Sequence, residues 1–341
     1  MSNVTLWLNR NIASSFNALE SIRSSLQPGE DWHIVASHPY PHNAVFRLSD
    51  AHEIEPARLD DRAYVRWCLD FARRHRVTVF LPGTRLRPIV KARSRFEALG
   101  VHLLAAADAA TLRALDSKPR LYRAIPPGVA PVPEYQVFRD LAGFDAAYRE
   151  LRRRHRLVCF KPCISVYGIG FRIVTPWGGG IRRLLSKDDL KISVRRARVV
   201  LGSQGTFRPM MLMPYLPGPE RSVDCLGHDG ELVRCVVRRK TKIEGYQKLE
   251  EHPDLVAIVR RLTKHFRLTG LFNVQFRDSG GKPYLLEINP RMSGGLYCSC
   301  LSGLAFPYWA VRLLLGTARP EDVPHPQAGF RVAQVNRAVR V

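Results

Sequence analysis

The stretch GLFNVQFRDSGGKPYLLEINPR, residues 270–291, contains two runs in which apolar and polar residues alternate. Alternation with a period of two is the pattern of a β-strand with one face buried. Between the runs, the segment from Asp278 to Lys282 contains Gly280-Gly281, a pair that favours a tight turn. The stretch therefore predicts a β-hairpin.

The polar residues of this hairpin are expected on one side of each strand, because side chains alternate along a strand. Glu287, Asn289 and Arg291 share one side of the second strand, and Asn273 and Gln275 share one side of the first. Taken alone, the second strand is explained equally well as an edge strand whose polar side faces water. Two adjacent polar strands favour a magnesium and phosphate site, because Mg²⁺ prefers oxygen ligands and arginine binds phosphoryl oxygens in a bidentate way. The oxygen ligands would be Gln275, Glu287 and Asn289.

Strands and helices alternate over about the first 110 residues. Apolar runs predict strands at 4–8, 32–36, 77–81 and 101–104, and apolar residues at helical spacing predict helices through 16–22, 65–72 and 89–99. This alternation indicates a parallel sheet flanked by helices. The first strand is followed by LNRNIASSF instead of GxGxxG, which argues against a dinucleotide site. We expect this layer to be a scaffold or a substrate platform.

The character of the sequence changes near residue 116, where prolines crowd a connection. A helix is predicted through 144–151, followed by a strand at 157–161. A third section begins near Arg208, with predicted strands at 209–216, 231–237, 271–276 and 283–288 and a helix through 255–266. The tail from Pro320 onward is expected to be a peripheral extension.

The 341 residues include 53 Lys and Arg against 30 Asp and Glu, a formal net charge of +23. Such a field attracts nucleic acid, nucleotides and acidic substrates alike, but the arginines are scattered and favour a solvated basic surface. The seven cysteines form no CxxC pair and are expected to be reduced thiols in a cytoplasm. The N-terminus lacks a signal-peptide pattern, and Pro307 and Arg312 interrupt the stretch 301–315, so we expect neither secretion nor a membrane span.

Four motifs then occur in a fixed order: DSKPRLYRAI, VCFKPCISVYGIGF, MLMPYLPGPERSVD and GLFNVQFRDSGGKPYLLEINPRMSGG, which together cover parts of residues 116–295. On these motifs the chain resembles the ATP-grasp superfamily of carboxylate-amine ligases, and it is similar to the ATP-grasp domains of carbamoyl-phosphate synthetase and biotin carboxylase. The resemblance implies an α/β, Rossmann-like N-terminal domain followed by an α+β ATP-grasp domain of two subdomains. The expected bounds are 1–115 for the N-terminal domain, 116–207 for the small subdomain with its glycine loop, 208–318 for the large subdomain with the metal site, and 319–341 for a C-terminal extension.

The resemblance also implies a site for the phosphates of ATP. Lys118 and Lys161 would contact the phosphates, and a glycine loop with Ser165, Gly168 and Gly170 would fold over them. Glycines allow backbone N–H groups to approach an anion closely. The chain contains no GxxxxGK[ST] motif, which excludes a Walker-type site.

For the nucleoside, the resemblance implies that backbone groups of Tyr215 and Leu216 contact adenine and that Glu220 accepts hydrogen bonds from the ribose. The chain departs from the commoner pattern at Pro214, where a glutamate often stands, so recognition of adenine would depend on the backbone.

A basic run, RRK at residues 238–240, follows a predicted strand where related enzymes often place a residue that faces phosphate or a substrate carboxylate. Strand alternation leaves two possibilities open, Arg238 together with Lys240 or Arg239 alone.

The reaction that the resemblance implies begins with attack of a substrate carboxylate on the γ-phosphate of ATP. An amine or similar nucleophile then displaces phosphate from the acyl phosphate. Gln275, Glu287 and Asn289 would hold Mg²⁺ or Mn²⁺, and Arg291 would steady the acyl phosphate together with Lys161. The expected partners are small-molecule carboxylates and amines.

Two alternatives stay open. One is an ATP-grasp carboxylase or a carboxylate kinase, whose ATP site would look the same. The other is a basic nucleic-acid-binding protein with a non-catalytic nucleotide fold, which is less favoured because the sequence has no recognition motif and its basic residues are spread.

Overall fold

The computed structural model describes residues 4–10, 15–165, 168–177, 190–241, 243, 245–335 and 338–341. The chain divides into two compact units. The first unit comprises Met1–Leu115, Pro219–Phe276 and Glu287–Val341, and the second comprises Asp116–Gly218 and Arg277–Leu286. The domain bounds at 115, 207 and 318 stay predictions.

A parallel sheet is built from the N-terminal part of the first unit. Its strands are β1 (Val4–Leu8), β2 (Trp32–His38), β3 (Ala51–Ile54), β4 (Val79–Leu81) and β5 (His102–Leu103). They are arranged in the order β3-β2-β1-β4-β5, and all four pairings are parallel. The accompanying helices are Ser15–Arg23, Asp61–Arg74, Leu86–Lys91, Arg93–Glu97 and Ala109–Leu115, with a 3₁₀ helix at Ala44–Leu48. The predicted parallel sheet with helices is confirmed.

Both faces of this sheet are buried, as its nearly continuous apolar strands indicate. Trp7 points to one face, where its ring stacks at 3.8 Å from that of Phe80 and 4.3 Å from that of Phe71, centroid to centroid. Its neighbours Leu6 and Leu8 point to the other face and belong to a separate buried cluster. Strand alternation thus produces two cores.

The helix predicted through 89–99 is wrong in detail, because it is interrupted at Ala92. Ala92 has dihedral angles φ −96° and ψ 14°, outside the helical region, and its N–H donates to the carbonyl of Ile89 at 2.9 Å. Two short helices result, Leu86–Lys91 and Arg93–Glu97.

The second unit contains a mostly antiparallel sheet. Its strands are β6 (Gln136–Phe138), β7 (Val158–Pro162), β8 (Arg172–Thr175), β9 (Lys191–Ser193) and β10 (Met210–Pro214), in the order β6-β10-β7-β8-β9. Helices Leu141–Arg154 and Val194–Gly202 contribute to its core, which includes Phe138, Phe144 and Phe160, and helix Lys118–Ala124 belongs to the same unit. The strand predicted at 209–216 as the start of the third section pairs with β6 and β7, so it belongs to this sheet.

A six-stranded sheet completes the fold. Its strands are β11 (Glu220–His228), β12 (Glu231–Lys240), β13 (Tyr246–Glu250), β14 (Gly270–Ser279), β15 (Lys282–Asn289) and β16 (Arg331–Ala333), in the order β15-β14-β11-β12-β13-β16. The predicted hairpin is therefore present as β14 and β15. The tail contributes the edge strand β16, whose Val332 is buried.

One face of the six-stranded sheet carries both apolar and polar residues. Leu226, Val236 and Leu249 pack in a common cluster with helices Leu296–Cys300 and Phe306–Leu314. Ser222 faces Arg238 and Asp224 faces Val236 across the two central strands, so these polar side chains point to the same face.

Helix Pro253–Phe266 also packs against β12. Among the residues that the structure describes, no helix has the length and apolar character that a bilayer span requires.

Candidate active site

The end of β15 brings two of the predicted metal ligands together. The amide nitrogen of Asn289 donates to Oε1 of Glu287 at 3.1 Å, so both side chains share one face of the strand, as the period of two predicts. Because the nitrogen faces the carboxylate, the amide oxygen of Asn289 is free to point away as an acceptor. Both residues are half-buried.

Gln275, the third predicted ligand, lies on the adjacent strand β14 and is also half-buried. One carboxylate and two amide oxygens make a donor set of hard oxygen atoms with a single negative charge. Such a set fits Mg²⁺, which usually completes its shell with water and substrate phosphates. Within the described ranges, no cluster of three His, Cys, Asp or Glu side chains offers another metal site.

Arg291 follows β15 in a turn. Its backbone N–H donates to the carbonyl of Asn289 at 2.8 Å, and its Nη1 donates to the carbonyl of Met292 at 2.8 Å. Arg291 is two residues after Asn289, the last of the predicted metal ligands, and it is half-buried.

The basic run at the end of β12 separates onto two faces. Arg239 pairs with Glu250 at 2.9 Å, whereas Lys240 pairs with Glu220, the predicted ribose acceptor, at the start of β11. Arg238 is buried and bonded to Asp224 at 2.8 Å. Arg238 and Lys240 therefore share one face of β12, and each of the three basic residues has a carboxylate partner. That one of them faces phosphate or a substrate carboxylate stays a prediction.

In the second unit, the structure brings Lys118 to the start of the predicted glycine loop. Its backbone N–H donates to the carbonyl of Cys163 at 3.1 Å, and its Nζ lies 3.4 Å from the carbonyl oxygen of Ser165. Burial raises the pKa of the Cys163 thiol, while the positive charges of Lys118 and Lys161 oppose that shift. Lys118 bonds to Cys163, and Lys161 on β7 is two residues before it, so the two predicted phosphate contacts flank the same short segment of the second unit.

The glycine loop needs its glycines at 168 and 170. Both have positive φ, +66° and +80°, in the region that L side chains rarely adopt. A Cβ on Gly170 would also lie 2.8 Å from Cδ of Pro162 at the end of β7. Val166 and Tyr167, which belong to the same predicted loop, lie outside the described residues.

The predicted adenine contacts follow β10. The backbone N–H of Tyr215 donates to the carbonyl of Leu157 at 2.9 Å, so the sheet uses that donor. A contact with adenine would therefore have to use the carbonyl of Tyr215 or the backbone of Leu216. The guanidinium of Arg277 lies 5.8 Å from the Tyr215 ring centroid, within range of a cation–π contact.

The sequence analysis did not single out Asp224. Asp224, which is fully buried, binds Arg238, Asn273 and Ser299. The available signal was the polar alternation of Ser222 and Asp224 in ERSVDCLGH, but their partner could be recognised only once β11 and β12 were known to pair.

Comparison with solved structures shows which fold the chain has. The chain is similar over 96% of its length to the ADP complex of PurK, an N5-carboxyaminoimidazole ribonucleotide synthetase, with a TM-score of 0.67, 13% identity and 79% of that chain covered. It is also similar to an L-amino acid ligase from Bacillus licheniformis, with a TM-score of 0.63, 14% identity, and 96% of this chain and 78% of that chain covered. A biotin carboxylase from Campylobacter jejuni gives a TM-score of 0.65 at 14% identity, with 97% of this chain and 74% of that chain covered. The chain has the ATP-grasp fold, and the resemblance to that superfamily is confirmed.

Other similarities involve only part of the chain. Residues 206–338 match the family described as "ATP-grasp in the biosynthetic pathway with Ter operon". The chain is 31% identical over 125 residues to the carbamoyl phosphate synthase large chain of Clostridium perfringens (strain 13 / Type A), a match that covers 32% of this chain and 11% of that protein. It is 30% identical over 143 residues to carnosine synthase 1 of Mus musculus, covering 36% and 17% respectively. The matched region therefore spans less than a fifth of either relative.

Proposed function

We propose that the protein is an ATP- and Mg²⁺-dependent ligase that activates a substrate carboxylate as an acyl phosphate and joins it to an amine or a similar nucleophile. The proposal includes a Rossmann-like N-terminal domain followed by the two ATP-grasp subdomains. The observation that carries it is the end of the hairpin, where Glu287 and Asn289 make contact beside the strand of Gln275.

The proposed roles follow from the chemistry of each side chain. Gln275, Glu287 and Asn289 would hold Mg²⁺, which when bound neutralises charge on the phosphates. Lys118 and Lys161 would orient the phosphates, and Arg291 would stabilise the negative charge of the phosphoryl group during transfer. The protein would supply alignment and electrostatic stabilisation, and no covalent intermediate on the enzyme is needed.

The comparisons support nucleotide binding and the class of substrate. Related structures have been described with ADP and with its magnesium salt. The similar proteins include a ligase named for amino acids and a synthase named for carnosine. We therefore propose small-molecule carboxylates and amines as substrates.

Glu287→Ala removes the only carboxylate of the proposed ligand set, so we expect ATP turnover to fall by at least about a hundredfold, the scale of about 2.7 kcal/mol. Phosphate release is measured with pools of carboxylic acids and amines, and the exposed Glu321→Ala serves as the matched control. Full turnover by a purified, folded Glu287→Ala protein would overturn the metal assignment.

Nucleotide-dependent stabilisation separates the proposal from its alternatives. Mg-ATP at a hundred times its dissociation constant should stabilise a true binder by about 2.7 kcal/mol. Phosphate release with one acid and no amine product would indicate a carboxylate kinase, and dependence on bicarbonate would indicate a carboxylase. Absence of stabilisation by Mg-ATP, together with salt-sensitive DNA binding, would favour the nucleic-acid-binding alternative.

A further inference from the structure

A buried group of hydrogen-bonded side chains, which we call the Asp224 network, lies within the first unit. Its members are Ser222, Asp224, Arg238, Asn273, Ser293 and Ser299. The Asp224 carboxylate accepts hydrogen bonds from Nε of Arg238 at 2.8 Å, Oγ of Ser299 at 2.6 Å and Nδ2 of Asn273 at 2.8 Å. The side chains of Asp224 and Arg238 are 1% and 3% exposed, so water does not screen the pair.

Stability alone is a weak explanation for this ion pair. Removing two charges from water offsets most of their attraction, and apolar side chains of similar volume often stabilise a core at least as well. A buried pair does fix geometry, because each guanidinium nitrogen must find an acceptor in a defined direction. The segments that the pair holds in place offer a better explanation.

Two of those segments carry proposed functional residues. Asn273, which donates to Asp224, is two residues before Gln275 on β14 and on the same side of the strand. Ser293, whose hydroxyl accepts a hydrogen bond from Nη2 of Arg238 at 3.0 Å, is two residues after Arg291. The network thus anchors the strand of one metal ligand and the turn that carries the proposed phosphate-binding arginine.

The contact between the network and the turn leaves no spare room. A Cβ placed on Gly295 would lie 2.5 Å from Nη1 and 2.8 Å from Cζ of Arg238. The guanidinium therefore packs directly on the backbone at Gly295, in addition to its hydrogen bond with Ser293. A side chain at position 295 would therefore have to displace either the guanidinium or the turn.

We infer that Arg238, held by Asp224, is a positioning residue for the candidate metal site, and that it sets where Gln275 and the turn carrying Arg291 stand relative to each other. The inference rests on the proposed function. It differs from the expectation that a residue of the basic run faces phosphate, because the Arg238 guanidinium is enclosed by its own unit. Residues that orient ligands in this way typically change metal affinity by about 10- to 100-fold when replaced.

The test compares the dissociation constants for Mg-ATP and for metal-free ATP in EDTA. Ser293→Ala removes one hydrogen bond from Arg238 and leaves the buried ion pair intact, so the fold is expected to persist. We expect the Mg-ATP constant to rise about tenfold while that for metal-free ATP stays within twofold. Gly295→Ala, which displaces the turn from the guanidinium, should shift the same constant in the same direction.

Two controls isolate the effect. Ser49→Ala removes a comparable hydrogen bond, of 3.0 Å to the carbonyl of Phe46, elsewhere in the first unit. Arg73→Met removes an exposed ion pair of 3.0 Å with Asp70, also in the first unit. Both should leave the two dissociation constants unchanged, whatever they do to the melting temperature.

The outcomes distinguish failure of the proposed function from failure of the inference about Arg238. If the wild-type protein shows no Mg²⁺-dependent binding of ATP, the proposed function fails. If the wild type binds Mg-ATP but Ser293→Ala and Gly295→Ala match it, Arg238 is a structural residue and the inference fails alone. An equal rise in both constants would also overturn it, because that result indicates general loss of the nucleotide site.

Discussion

Glu220 is the proposed ribose acceptor, and the structure gives its carboxylate a fixed partner. Lys240 binds it across β11 and β12, while the Glu220 side chain keeps 20% of its surface exposed. An ion pair at this exposure contributes about 0–1 kcal/mol to stability, so its more useful effect is to orient the carboxylate. A sugar hydroxyl could then donate to an oxygen that Lys240 holds in place.

Glu220→Gln tests whether this carboxylate accepts a hydrogen bond from the ribose. Loss of the charged acceptor should weaken ATP binding about tenfold, since a hydrogen bond to a charged group is worth about 1.5–3 kcal/mol. Binding of 2′,3′-dideoxy-ATP, which lacks both hydroxyls, should be unaffected by the substitution. Glu250→Gln is the matched control, because Glu250 pairs with Arg221 and Arg239 instead. Equal weakening for both nucleotides would remove Glu220 from the ribose site.

Among the elements, the strands with one clear apolar side were the most predictable. The hairpin of β14 and β15 and helix Pro253–Phe266 follow directly from periods of two and of about 3.6 residues. The long strand β11 was not predicted, because polar Ser222 and Asp224 interrupt its apolar pattern. Those residues are compatible with burial because Arg238 on β12, Asn273 on β14 and Ser299 form hydrogen bonds with them. Pairing between distant strands cannot be obtained from local periodicity, and the support of the candidate site depends on it.

The role of the glycine loop after β7 in ATP binding can be tested by one substitution. Gly170→Ala combines a positive φ of +80° with a Cβ 2.8 Å from Cδ of Pro162, so the turn must shift. We expect the Michaelis constant for ATP to rise about tenfold, equivalent to about 1.4 kcal/mol of lost binding. Gly128→Ala is the control in the same unit, because φ is +82° there but no atom lies within 4 Å of the added Cβ. A similar rise for both variants would mean that backbone strain, and not the position of the loop, weakens binding.

Across the whole molecule, the seven cysteines are free thiols, and each is buried or half-buried. Burial raises the pKa of the Cys159 and Cys235 thiols to about 12 and that of Cys300 to about 11, against an ordinary value of 9.0. Cys159 also donates a hydrogen bond to the carbonyl of Pro214 at 3.7 Å, which favours its protonated form. The folded protein therefore keeps these thiols neutral at a pH where the unfolded chain ionises them.

This difference predicts a loss of stability in alkali. A thiol whose pKa is raised by folding contributes stability that is complete below the unfolded pKa near 9 and is lost as the pH rises towards the folded value of about 12. Each such thiol should lower the free energy of unfolding by up to about 1.4 kcal/mol per pH unit in that interval. Urea unfolding at pH 8, 9 and 10 measures the slope for the wild type and for Cys159→Ala, and the difference between the slopes cancels the lysines and tyrosines that titrate in both proteins. Cys159→Ala should be less stable at pH 8, because it leaves a cavity, yet should lose stability more slowly as the pH rises. Parallel slopes for the two proteins would show that the Cys159 thiolate is tolerated in the fold, contrary to the burial on which the prediction depends.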